Sequence, residues 1–316
     1  MKAEEVKRAA VIGVGTMGPG IALSLAQAGI EVRLMGRSQE SCQRGTAAVE
    51  GILALYREHG LLTKGRAEAA YARIKGATGL EEADQEADLV IEAAPEELDL
   101  KKDLFARLDA VCPPRTILAS NTSGLSITAL GKATKRPDKV VGAHFWNPPH
   151  LLPLVEVVRG EGTSEETLEL TAGLMEIIGK RPVLVRKEVP GFIGTRLHQA
   201  LIREAFYLVE EGVASIRDVD EVVKTSFGRR LAVTGPFETC DLGGLDVFLA
   251  AAGSWADLSR AREPSPLLAD QVQKGRLGAK TKAGLYDWTS QDLARIVRER
   301  EAELISHLKK DLEKRG

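Results

Sequence analysis

Residues 8–35 run in the order strand, glycine turn, helix, strand, and that order leaves few folds open. RAAVIGV (8–14) ends in glycines, GPGIALSLAQA (18–28) carries helical periodicity until Gly29 stops it, and IEVRLM (30–35) reads as a second strand. Parallel strands joined in this way take a right-handed connection. Gly13, Gly15 and Gly18 form a G-x-G-x-x-G between the first strand and the helix. Glycine lets the backbone approach a pyrophosphate closely, and the helix N-terminus favours its charge. The pattern alone also fits a plain structural turn, but between a strand and a helix it predicts a dinucleotide site.

The alternation continues along the chain. Residues 45–75 read as two helices parted at Gly60, the second capped by Thr63, forming an arm ahead of the next strand. DLVIEAA (88–94), TILAS (116–120) and KVVGAHF (139–145) read as strands, with a helix over 97–111 between the first two. After Pro148-Pro149 come LPLVEVV (152–158), a helix whose Thr163 and Glu166 fit a capping box and which Gly179 ends, and PVLVRK (182–187). From Gly191 onward the pattern is nearly all helical. There is an amphipathic segment to Glu211, a helix capped near Ser215, one opened by Ser265-Pro266, and a charged stretch over 290–315 that reads as a solvated surface element. The expected architecture is α/β: a Rossmann-type doubly wound sheet over 1–188, then an all-α domain over 189–316. A chain of 316 residues with 44% hydrophobic content is long enough to give each its own core.

Charge and cysteine content narrow the function. Lys and Arg total 43 against 45 Asp and Glu, a net charge of −2, so no global basic field holds nucleic acid or an anionic membrane. No stretch approaches the ~20 apolar residues that span a bilayer, and Met1 to Arg8 lacks the apolar core of a signal peptide. Cys42, Cys112 and Cys240 are odd in number and far apart, which argues against a disulfide framework or a cysteine-rich metal site. The expectation is a soluble cytoplasmic protein with no metal, acting on a small molecule.

Three groups of residues carry candidate chemistry. A fold that uses NAD places an acid on the ribose hydroxyls ~20 residues beyond the glycine loop. This chain has Gly36 there, followed by Arg37 and Ser38, a guanidinium and a hydroxyl that suit a 2′-phosphate. NADP is therefore as open as NAD. A hairpin folded about residue 150 sets His144 opposite Glu156, and a carboxylate beside an imidazole suits a general base that takes a hydroxyl proton. The same spacing fits an ordinary His–Glu contact at a strand end. SNTSGLSIT (120–128) and Asn147 place small hydroxyl and amide groups after strands, either to bond a ligand or to serve as turn and cap residues.

Together these segments resemble the 3-hydroxyacyl-CoA dehydrogenase family. The resemblance runs from Ala9 to Trp288 through GVGTMGPGIA (13–22), IEAAPEELDLKKDLF (91–105), ASNTSGLSIT (119–128), HFWNPPHLLPLVEVV (144–158), VPGFIGTRL (189–197) and KTKAGLYDW (280–288). It implies oxidation of a 3-hydroxy group to a ketone with a nicotinamide cofactor, and a helical domain that forms a homodimer. It makes His144 the general base and Glu156 its orienting partner. Ser123 and Asn147 become groups around the substrate oxygen and the nicotinamide. The glycine loop with Thr16 and Met17, then Glu96, Lys101 and Lys280, becomes the cofactor set.

Three positions depart from the family pattern. Gly36 replaces its acid, Thr195 stands where an asparagine usually contacts the substrate, and Lys282 replaces a glycine. Threonine lacks the amide donor and carbonyl acceptor of asparagine, so that substrate contact changes. NPPHLLPLVEVV and GPFET (235–239) also resemble dehydrogenases of free hydroxy acids such as L-gulonate or carnitine, which keeps a non-thioester substrate open. On the arm, the candidates to meet a CoA tail are Thr46, Arg57, Thr63, Lys64 and Arg66. A dinucleotide-binding protein that has lost catalysis is the remaining alternative.

Overall fold

The computed structural model describes residues 1–84, 86–289 and 293–314. The chain divides into two compact units, Met1–Thr195 with Arg300–Gly316, and Arg196–Glu299. The first unit is built on β1 (Arg8–Ile12), β2 (Glu31–Met35), β3 (Ile74–Ala77), β4 (Leu89–Glu92), β5 (Ile117–Ser120), β6 (Val140–Phe145), β7 (Leu154–Val158) and β8 (Arg181–Val185). These form one sheet in the order β3-β2-β1-β4-β5-β6-β7-β8. Every pairing is parallel except β6 with β7.

Helices pack against the sheet, among them α1 (Gly18–Gln27), α2 (Gln39–Glu58), α3 (Lys64–Ala72), α4 (Leu80–Asp84), α5 (Leu98–Val111), α6 (Ile127–Lys132) and α7 (Glu165–Ile177). Side chains alternate across a strand, so each strand feeds two cores. Val11, Leu34 and Ile91 pack on one face with Ile21, Leu25, Val49 and Leu174. Ile12, Val90 and Leu118 pack on the other with Leu104, Phe105 and Leu130. Each such aliphatic or aromatic side chain contributes about 1.5–3 kcal/mol when fully buried.

The Rossmann-type reading holds, and several boundaries move. β3 (IKGA) and α4 went unread because two of the four strand residues, Lys75 and Gly76, are exposed and break the apolar pattern. α2 begins at Gln39, well before residue 45, because Ser38 caps it by accepting from the Ser41 amide. Ser164, not Thr163, caps α7. The Thr163 hydroxyl instead donates to the Val140 carbonyl and accepts from the Gly160 amide.

The second unit is helical: α8 (Gly194–Glu210), which starts at the end of the first unit, then α9 (Ile216–Thr225), α10 (Phe227–Arg230), α11 (Pro236–Gly243), α12 (Leu245–Ala251) and α13 (Pro266–Gln273). Ser215 and Ser265 cap α9 and α13, as their positions predict. α14 (Leu293–Glu313) corrects the sequence reading of the C-terminal stretch, of which 290–292 and 315 lie outside the described residues. Its later part belongs to the first unit and not to a helical domain running to residue 316. Ile305 is 3% exposed in the larger core cluster, flanked by Leu304 and Leu308, and Arg181 pairs with Asp311 at 2.6 Å. Three apolar residues among many charges were enough to bury one stripe of this helix.

Candidate active site

β1, β4, β5 and β6 are mutually parallel, so the segments that follow them leave the sheet at one edge, beside the reversal of strand order between β1 and β4. Open α/β sheets bind ligands there. Gly13 follows β1 with φ 116°, and a Cβ there would sit 2.5 Å from the Ala93 carbonyl oxygen. At Gly18 a Cβ would strike the Gly13 carbonyl, whereas at Gly15 it would meet nothing within 4 Å. Two glycines thus close the turn and the third leaves room at its outer side. No side chain caps the N-terminus of α1, Thr16 is exposed and Met17 is half-buried. This cradle fits a pyrophosphate.

At the end of β2 the acid is missing for a steric reason. A Cβ on Gly36 would lie 2.3 Å from Ser41 Oγ and 2.9 Å from the Cys42 amide nitrogen, so the early start of α2 fills the space a side chain needs. Arg37 is exposed. Ser38 is exposed too, but its hydroxyl oxygen is already engaged as the α2 cap.

His144 on β6 lies directly opposite Glu156 on β7. His144 Nδ1 is 2.8 Å from Glu156 Oε2, and both side chains are buried. Oε2 also accepts from Trp146 Nε1 at 3.3 Å, while Oε1 accepts from the Ile193 and Gly194 amides at 2.9 Å each. Burial alone would raise the Glu156 pKa. The bonds from His144, Gly194, Ile193 and Trp146 outweigh it and hold the carboxyl below its ordinary range. With Nδ1 facing the carboxylate, Nε2 is the nitrogen left to exchange a proton with a substrate. The two amide donors are aimed by a turn in which Gly191 and Phe192 both have positive φ, 76° and 48°. A buried phenylalanine in that conformation is strained by about 1–3 kcal/mol. Its ring, with that of Trp146, flanks His144 at centroid distances of 5.8 and 5.7 Å. A Cβ on Gly194 would press to 2.5 Å from the Trp146 ring, so a glycine is needed where the indole sits.

The other predicted residues are placed within their own units. Ser123 is exposed, and its amide donates to Glu96 Oε1 at 2.9 Å. The same loop packs against the Gly191 turn, where a Cβ on Gly124 would lie 3.0 Å from the Gly191 nitrogen. Asn121 ties that loop to β6 by accepting from the Phe145 amide at 2.8 Å. Asn147 is exposed and precedes a cis proline bond. Thr195 is half-buried at the start of α8. Lys280 is exposed in a 3₁₀ turn of the second unit. Lys101, which the resemblance puts in the cofactor set, faces Glu96 from α5. It is 1% exposed, with its ammonium on Glu92 at 2.5 Å, Glu96 at 3.4 Å and the Ala94 carbonyl at 3.1 Å.

The turn between β6 and β7 is pinned from below. Lys180 Nζ donates to the Pro149 and Leu152 carbonyls, and the Tyr56 hydroxyl donates to the His150 carbonyl. His150 Nδ1 is buried without a hydrogen-bond partner, and burial, then the Lys180 charge, lowers its pKa to about 4. Trp146, the two amides, Glu92 and this pinning set escaped the sequence reading. Only Trp146, adjacent to the His144 motif, left a signal there. Among the described residues, no group of three or more His, Cys, Asp or Glu is placed to hold a metal ion.

A glycine cradle on a parallel sheet with a buried His–Glu pair at the same edge defines a nicotinamide-dependent dehydrogenase site. Comparison with known proteins makes the class specific. The NAD-binding domain of 3-hydroxyacyl-CoA dehydrogenase matches residues 8–189, and the C-terminal domain of the same enzymes matches residues 191–288. The chain belongs to the 3-hydroxyacyl-CoA dehydrogenase family. It is 41% identical to a probable 3-hydroxybutyryl-CoA dehydrogenase of Bacillus subtilis, over 90% of this chain and 98% of that one. It is 33% identical to a 5-formyl-3-hydroxy-2-methylpyridine 4-carboxylate 5-dehydrogenase of Mesorhizobium japonicum, over 95% and 97%. A crystal structure of a pyridine carboxylate dehydrogenase of that kind, described as an NAD+ dependent dismutase, superposes with a TM-score of 0.89 over 95% of this chain and 97% of that one, at 33% identity. The (S)-3-hydroxybutyryl-CoA dehydrogenase from Ralstonia eutropha superposes with a TM-score of 0.75 over 89% and 99%, at 36% identity.

Proposed function

We propose that this oxidoreductase transfers a hydride between a nicotinamide cofactor and the hydroxyl-bearing C3 of a short (S)-3-hydroxyacyl-CoA. The observation that carries the reading is the His144–Glu156 pair, buried and preorganised at the same edge as the glycine cradle. His144 Nε2 takes the hydroxyl proton, and Glu156, kept ionised by its donors, stabilises the resulting imidazolium. A positioned general base of this kind contributes about 10²–10⁴-fold in rate. A bound nicotinamide would supply the acceptor for the hydride on the carbon that bears that hydroxyl. Ser123 and Asn147 would be polar groups around the substrate oxygen and the nicotinamide, and Thr195 replaces an asparagine at the substrate. Gly13, Gly15, Thr16, Met17, Gly18 and Glu96 would hold the cofactor within the first unit. A catalytically inert binding protein would have no use for so fully bonded a His–Glu pair.

The cofactor end supports NADP as well as NAD. Gly36 leaves no acid to repel a 2′-phosphate, and Arg37 is exposed beside it. Arg37→Met should weaken NADPH at least tenfold and leave NADH within about threefold. Equal effects on both would assign Arg37 to the surface alone.

A second substrate reading, a free hydroxy acid in place of the thioester, is favoured by a specific observation. Several polar residues on the arm that would meet a CoA tail are committed locally. Thr46 bonds back to the Cys42 carbonyl, Thr63 caps α3, and Lys64 pairs with Glu68. Reduction of acetoacetyl-CoA and of free 3-oxo acids, each with NADH and NADPH, separates the readings. Turnover of the thioester supports the first, and turnover of free acids alone supports the second. We place the protein in a reducing compartment, the cytoplasm, because its three cysteines are odd in number and far apart in the sequence. We also propose a homodimer through the helical unit. Among the described residues of that unit no hydrophobic side chain is buried, and Val233, Phe237, Leu242 and Leu249 are 77–87% exposed.

A further inference from the structure

Glu92 ends β4 with 0% exposure, and Lys101 on α5 has 1%. The Glu92 carboxylate is fully used. Oε1 takes the Lys101 ammonium at 2.5 Å and the Ala94 amide at 2.6 Å, and Oε2 accepts from the buried Ser120 hydroxyl at 2.6 Å. The other side of Lys101 faces Glu96 Oε2 at 3.4 Å. Glu96 Oε1 in turn accepts from the Thr122 hydroxyl at 2.5 Å and from the Ser123 amide at 2.9 Å. Thr122, itself buried, accepts from the Gly124 and Leu125 amides. One ammonium and two carboxylates therefore join the end of β4, the first turns of α5 and the loop after β5.

Desolvating such a pair is expensive, and apolar residues of similar volume often serve stability equally well. Stability alone is a weak reason to keep it. We infer that the Glu92–Lys101 pair acts as a positioning device that fixes Glu96 and, through Glu96 and Thr122, holds the Ser123 loop in register with His144. This deepens the proposed function and rests on it for the role given to Ser123.

The test replaces the pair by apolar residues, Glu92→Leu with Lys101→Met, and independently removes one bond with Thr122→Val. Thermal unfolding, steady-state kinetics and hydrogen exchange of the amides over 121–125 are read on each full-length variant. The double variant should unfold near the parent temperature, lose at least tenfold in kcat with KM changed by less than threefold, and exchange the loop amides at least tenfold faster. Thr122→Val should move kcat and exchange in the same direction, and it decides the matter if the double variant does not fold. Parental kcat together with parental exchange over 121–125 would overturn the inference, leaving the pair a structural one. Faster exchange in a protein whose parent turns over no hydroxy or oxo substrate would uphold the positioning and reject the proposed function instead.

Discussion

Glu156 shows how much of a site rests on groups that a sequence does not display. Its partner His144 was legible, because folding the chain about residue 150 sets 144 against 156, and the register is the one observed. The two amides that hold its other oxygen were not, since a backbone donor has no letter of its own and Phe192 is a poor advertisement for positive φ. Because the Glu156 pKa is depressed, the stability it contributes is present above its ordinary value of about 4.5 and is lost as pH falls through the lower folded-state value. Denaturant titrations from pH 6 to pH 3 should therefore show a shallower acid loss in Glu156→Gln than in the parent; identical slopes would contradict the bonding described. Trp146→Phe keeps a ring beside His144 but removes one donor. It should cost about 1 kcal/mol, roughly fivefold in kcat.

At the scale of elements, the β6–β7 turn has its own pH signature. His150 stays neutral because burial and Lys180 lower its pKa to about 4 from 6.5. The folded state thus resists a proton that the unfolded chain accepts. Nothing is lost above pH 6.5, and a penalty grows as pH falls toward 4, reaching about 3 kcal/mol. His150→Gln should flatten stability between pH 6.5 and 4, measured as urea midpoints, while an unchanged slope would mean the ring is solvated. Lys282 carries the other element-scale mark. Its φ of 58° is the left-handed conformation that glycine adopts freely, which gives a physical reason for the glycine usual there. Element order was largely legible because periods of 2 and 3.6 alternate cleanly. Boundaries were not where a cap decides them, as Ser38 and Ser164 do, or where a strand as short and polar as β3 depends on its neighbour β2.

Across the whole molecule, the first unit is complete by its own burial and the second is not. The sheet closes two cores, and α14 returns to the larger one through Ile305. This return was illegible because a three-residue apolar stripe is hidden among lysines, arginines and glutamates. In the helical unit the exposed side chains of α11 and α12 argue for a covered face. Light scattering should give a particle of twice 34.1 kDa, and Phe237→Asp with Leu249→Asp should halve it. A monomeric parent would contradict the proposed dimer. The chemistry at the sheet edge rests on the His144 imidazole, which His144→Gln removes. Turnover of the best hydroxy or oxo substrate should fall by about 10²–10⁴-fold while NADH or NADPH affinity stays within about threefold of the parent. Turnover near the parental rate in that variant would show that His144 is not the general base.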